Sequence, residues 1–213
     1  MADTQTPQAM TPSPPGVAPA SLPTLVAVML VLPAIAYAVG IFALPRPTSV
    51  ATTRTTIDRA RLEGEVLMKQ TPTPKLPANG NFGGKITVLG VDVAETVAGV
   101  GTRVNLTFYY RCDGEMQENW KVFLHVDSQG GRYRIHGDHF PPTSYSTDRW
   151  RKGDIVADRY TLWVPLDAQK GPYDIWMGFY DPAHEDDRLP LTAAENVPTD
   201  GQNRLKLGVL TVN

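Results

Sequence analysis

Residues 119–139, NWKVFLHVDSQGGRYRIHGDH, decide the fold. Trp120, Val122, Leu124 and Val126 alternate with a second set of side chains, which puts one apolar stripe on a single face of a strand. SQGG at 128–131 has the composition of a hairpin turn, and RYRIHGDH returns antiparallel to the first run. The same period of two recurs on both sides. Upstream are KITVLGVDV (85–93) and TRVNLTFYY (102–110), the latter with Val104, Leu106, Phe108 and Tyr110 on one face. Downstream, DRYTLWVP (158–165) presents Tyr160, Leu162 and Val164. YDIWMGFYD (173–181) presents Tyr173, Ile175, Met177 and Phe179, and LKLGVLTV (205–212) closes the series. About seven short strands with no convincing helix among them predict an all-β domain over 84–213. The expected fold is a β-sandwich of immunoglobulin-like or jelly-roll topology.

The first third of the chain reads differently, with 12 of the 19 prolines before residue 81. Residues 1–21 are rich in Pro, Thr, Ala and Ser and cannot bury enough apolar surface to offset their ordering entropy, so a disordered or extended tail is expected. Residues 22–44, LPTLVAVMLVLPAIAYAVGIFAL, carry no charge. At about 1.5 Å per residue they make roughly 35 Å of helix, enough for a hydrocarbon core of about 30 Å. No Lys or Arg precedes the run, as a secretory signal needs, so it reads as one transmembrane helix. Ala34 and Ala38, and Ala36 and Gly40, stand four apart, the spacing that lets one helix approach another closely. Residues 45–83 read as a juxtamembrane segment, with a short helix within 55–70 and a Pro- and Gly-rich linker.

Charge and cysteine content narrow the function. Twenty basic and 22 acidic residues give −2 overall, which does not suit a nucleic-acid partner. The balance is −1 over 1–21, +3 over 45–80 and −4 over 81–213, so only the juxtamembrane stretch is basic, as suits anionic headgroups. The lone Cys112 excludes an internal disulfide and a cysteine-based zinc cluster.

The order of WKVFLHVD from Trp120, HGDHFPP (136–142), RWRKGD (149–154), DRYTL (158–162), GPYDIWMGFYDP (171–182) and RLP (188–190) resembles a known type of domain. It is the small β-sandwich at the extracytoplasmic end of some bacterial polytopic membrane proteins, notably glycosyltransferase-like ones. The resemblance covers about 84–212. It implies a fold and a side of the membrane and carries no chemistry, because the catalytic parts of those enzymes lie in membrane segments that this sequence lacks.

Few constellations suggest chemistry. His136, Asp138 and His139, with His125 on the preceding run, form the one candidate for a divalent metal. In a strand 136 and 138 point to one side and 139 to the other, so the preferred reading is a strand-end turn with no metal. The acidic loop around Asp181, Glu185, Asp186 and Asp187 lacks the ligand spacing of a calcium loop and reads as a solvated turn. No hydrolase elbow, phosphate loop or haem motif is present, so an enzyme is not expected and neither is a cofactor. Trp163, Trp176 and Tyr180 oppose the apolar stripes of their strands and are the candidate contacts to a protein partner or a glycan.

These features support a non-catalytic accessory subunit of a bacterial inner-membrane complex, photosynthetic or respiratory. Its helix would pack on other integral membrane subunits and lipid, and its sandwich on their extrinsic surface. The alternative is a carbohydrate-binding module anchored in the envelope. On topology two arguments conflict: Arg46, Arg54, Arg59 and Arg61 follow the span and favour a cytoplasmic sandwich, whereas the resemblance favours the periplasmic side, which is the reading adopted.

Overall fold

A computed structural model describes residues 58–194 and 198–213, together with Gly16. The apolar run 22–44, with Ala34, Ala36, Ala38 and Gly40, lies outside the described residues, as do the remainder of the tail and residues 45–57. Among the described residues no helix is long and apolar enough to cross a membrane.

Thr56–Asn213 form one compact unit, a β-sandwich. Helix α1 (Arg59–Glu65) is followed by β1 (Leu76–Phe82), β2 (Ile86–Val93), β3 (Val97–Ala98), β4 (Arg103–Cys112), β5 (Lys121–Ser128) and β6 (Arg134–His136). A short 3-10 turn at Thr147–Arg149 then leads to β7 (Ile155–Trp163), β8 (Gly171–Asp181), β9 (His184–Arg188), β10 (Leu191–Ala194) and β11 (Leu205–Val212). The first sheet has the order β10-β1-β2-β4-β7. The second has the order β3-β11-β8-β5-β6, with β9 paired to the end of β8. The β3–β11 pair is parallel and the other described pairs are antiparallel.

The alternating stripes form the core. Val104, Leu106, Phe108 and Tyr110 of β4 face Val122, Leu124 and Val126 of β5 and Tyr173, Ile175, Met177 and Phe179 of β8, all buried. The Phe179 ring meets Phe82 edge-on at 5.2 Å and Tyr110 at 5.7 Å, so aromatic contacts tie the two sheets together. The Tyr173 hydroxyl donates to the Gln169 carbonyl at 2.6 Å and pins the corner between β7 and β8.

The seven runs expected from periodicity are β2, β4, β5, β6, β7, β8 and β11. Four further strands correct that number. The Pro- and Gly-rich linker expected at the end of the 45–83 segment instead contains β1, which lies between β2 and β10. Its prolines and glycines conceal it. Pro77 precedes a register shift, and Asn79 there takes a left-handed φ of 62°, so the strand tolerates residues that ordinarily break one. Phe82 is fully buried, which makes β1 part of the core.

Helix α1 is shorter than the expected 55–70 span. Asp58 caps it, accepting from the Ala60 and Arg61 N–H groups, and the helix ends at Val66, which leaves helical geometry with a φ of −133°. Ala157 N–H donates to Val66 O and Met68 N–H to Ile155 O, so residues 66–68 protect the outer edge of β7. Arg59 fixes the helix to the sandwich through Asp154, Nη2 to Oδ1 at 2.6 Å, and Tyr145 donates to the same carboxylate at 2.5 Å.

Candidate functional site

The outer face of the second sheet carries a polar and aromatic array that strand register sets out in rows. His136, His125, Trp176 and Lys206 stand side by side across β6, β5, β8 and β11. The next row holds Arg134, Asp127, Asp174 and Val209. Each residue is the outward member of an alternation whose inward member builds the core, so the pattern that folds the sandwich also constructs this face.

Asp127 and Asp174 lie directly opposite one another, an unfavourable arrangement unless their charge is met. Arg134 meets Asp127 through two bonds, at 2.5 and 3.0 Å, and Arg204 reaches it at 2.9 Å. Lys206 pairs with Asp174 at 2.8 Å. Burial pushes the Asp127 carboxyl up, but the bonds from Arg134 and Arg204 outweigh it and hold the group below the usual carboxylate range. The Arg204 guanidinium and the Lys206 ammonium both approach the Trp176 ring, at 5.0 and 5.9 Å from its centroid.

Beside these rows the β5–β6 hairpin borders an open groove of about 360 Å³, lined by Asp127, Gly131, Arg132, Tyr133, Arg134 and His136. The Tyr133 hydroxyl donates to Asp167 at 2.8 Å, which steadies its ring. Further along the face, the nearly buried Phe123 ring lies across Gly178 beneath the Arg188 guanidinium, 4.7 Å away. Arg188 is thus occupied by an aromatic ring and by the Gln202 carbonyl.

The three aromatic candidates do not share one surface. Trp176 and Tyr180 lie on the outer face of the second sheet, the latter with Lys121 Nζ 5.6 Å from its ring. Trp163 lies on β7 at the edge of the first sheet, 48% exposed, with Arg103 5.8 Å from its ring. The other two tryptophans, Trp120 and Trp150, are buried.

The histidine set is also regrouped. His125, His136 and Asp138 come together, one donor atom from each lying within 4.8 Å of the others. His139 is turned inward. Its ring stacks on Tyr160 at 4.0 Å, Nδ1 is 2.7 Å from the Gly137 carbonyl, and Nε2 is 2.9 Å from Asp158 Oδ2. The candidate triplet of His136, Asp138 and His139 is therefore corrected to His125, His136 and Asp138. The alternation of 136, 138 and 139 between faces is as the strand geometry requires.

Cys112 is buried, and burial, with Asp154 next, pushes its thiol up to about 11, which leaves it no thiolate for chemistry at neutral pH. Asp127, Asp174, Arg134, Arg204 and the groove went unrecognised in the sequence. The signal was present in the polar alternate positions of the same strands, but their alignment across the sheet depends on register.

No protein-family model matches the chain, and no curated protein matches it. Among solved structures, the C-terminal domain of wzt is similar at 12% identity, covering 67% of this chain and 82% of that one with a TM-score of 0.44. A Niemann-Pick type C2 protein from Japanese carpenter ant is similar at 8% identity, covering 59% and 91% with a TM-score of 0.37.

Proposed function

We propose that the chain is a non-catalytic recognition module that holds a carbohydrate on the outer face of its second sheet. The run 22–44 is read as its tether in a bacterial inner membrane, with the sandwich on the periplasmic side. The observation that carries the reading is the groove of about 360 Å³ continuous with the row that ends in Trp176 and Lys206. A sugar presents hydroxyls that both donate and accept, together with an apolar C–H face. The groove offers acceptor-only Asp127, donor-only Arg132 and Arg134, His136, which can do either, and the Tyr133 ring. A protein-docking face needs a contiguous apolar centre. The exposed large apolar side chains instead fall on several elements, with Val97 and Val209 on the paired strands β3 and β11, Trp163 and Leu166 at the end of β7, and Met68 and Phe140 elsewhere in the chain. The parallel β3–β11 pair and the Tyr173 corner support the immunoglobulin-like of the two expected topologies. An array of envelope polysaccharides probed with the full chain tests the reading. Selective retention is expected, and uniform absence of binding would refute it.

One observation favours a second reading, an accessory subunit of a membrane complex. Trp163 and Leu166, 48% and 76% exposed, lie three residues apart at the end of β7 and suit contact with a protein neighbour. Extraction in mild detergent followed by native mass spectrometry would then retrieve stoichiometric subunits.

A further inference from the structure

The geometry points to a divalent transition-metal site formed by His125, His136 and Asp138 on the outer face of the second sheet. His125 and His136 are directly paired across β5 and β6, with ring centroids 5.4 Å apart and planes at 79°. Asp138 follows on the chain beyond β6, and one of its oxygens is already committed: Oδ1 accepts the Leu124 N–H at 3.1 Å. That bond holds the carboxylate in place and leaves its other oxygen available, as hydrogen bonds to ligating carboxylates do. The Gly137 between His136 and Asp138 faces inward, where a Cβ would meet Leu124 at 2.7 Å, so the turn is held with both neighbours on the outer side.

An independent observation marks the same place. His125 Nδ1 is buried and has no hydrogen-bond partner, an uncommon state for a polar atom shielded from water. Arg134 does not fill the site with uncompensated positive charge, because Asp127 takes it in two bonds.

The fit is close. Donor atoms at about 2.1 Å from a tetrahedral ion lie roughly 3.4 Å apart. The three donor atoms here lie within 4.8 Å of one another, and the exposed His136 side chain can turn to close the difference onto the fixed carboxylate. Two imidazoles and a carboxylate suit zinc, nickel or copper and do not suit calcium or magnesium, which take all-oxygen shells. Three protein donors leave a position for water or for a ligand oxygen, next to the groove that His136 also lines.

The test uses the tag-free full chain in detergent, stripped with a chelator and then titrated with zinc chloride alone against a chromophoric competitor. One equivalent per chain is expected, with affinity at least tenfold weaker in His136→Ala and in Asp138→Asn. Both positions are exposed, so the variants are expected to fold, and circular dichroism confirms that they do. His184→Ala, which removes an exposed histidine on β9, should bind as the unaltered chain does. Absence of stoichiometric zinc, or equal affinity in His136→Ala and the unaltered chain, would overturn the site.

Discussion

His139 Nε2 lies 2.9 Å from Asp158 Oδ2, a hydrogen-bonded pair lodged inside the sandwich with side chains 11% and 3% exposed. The Gly137 carbonyl can only accept, so His139 Nδ1 donates to it, and the contact with Asp158 must hold a further proton between Nε2 and Oδ2. Removing one member leaves the other buried without its counterpart. His139→Leu should therefore cost about 3–5 kcal/mol. The double variant His139→Leu with Asp158→Leu should cost less than the two single effects added together. Urea denaturation of all three forms measures the coupling, and simple additivity would show that the pair is not the unit described.

The clamp on α1 gives the domain a pH dependence. Burial pushes the Asp154 carboxyl up, but the bonds from Arg59, Tyr145 and the Arg151 N–H outweigh it and hold the group below the usual range. The Tyr145 hydroxyl is pushed up to about 12, by burial first and then by Asp154. A carboxyl depressed in the folded state stabilises it above the unfolded value of about 4, and that contribution is lost as pH falls through the lower folded value. Stability should accordingly fall below about pH 4, and Asp154→Asn should flatten that loss while costing about 1–3 kcal/mol at pH 7. Melting temperatures from pH 2 to 7 supply the comparison.

Gly178 is required by its surroundings. A Cβ there would lie 2.6 Å from the Asn203 carbonyl and would run into the Phe123 ring, which crosses the strand at that point. Gly178→Ala should cost about 1–3 kcal/mol through overpacking. Gly130→Ala in the hairpin turn, where nothing lies within 4 Å, should cost little. Chemical denaturation of the two variants separates them.

The domain begins earlier than residue 84. A fragment of 84–213 lacks β1 and α1, so it exposes the inner edge of β2 and one side of β10, and it loses the fully buried Phe82. That fragment should fail to give a cooperative melt, whereas 58–213 should give one. In the longer form Phe82→Ala should cost about 3–5 kcal/mol.

The strands that were legible in the sequence are those whose inward and outward residues differ in polarity, such as 104–110 and 173–179. β1 was not, because Pro77 and Asn79 sit at a register shift that local pattern cannot reveal. β9, HEDDR, has no apolar stripe at all and is a strand only through its hairpin with β8. Site residues followed the same division. Trp176 was recognisable as an outward aromatic, but its row with His125, His136 and Lys206 depends on the pairing of four strands. Trp163 looked equivalent to Trp176 because both oppose a core stripe, yet the two strands belong to different sheets.

That separation provides the most direct test of the proposed function. The full chain, Trp176→Ala and Trp163→Ala are titrated against the same immobilised envelope polysaccharide. Carbohydrate recognition on the second sheet predicts that Trp176→Ala weakens binding about tenfold or more, a loss of about 1.4 kcal/mol, while Trp163→Ala binds as the unaltered chain does. Loss confined to Trp163→Ala, or no binding by the unaltered chain, would contradict it.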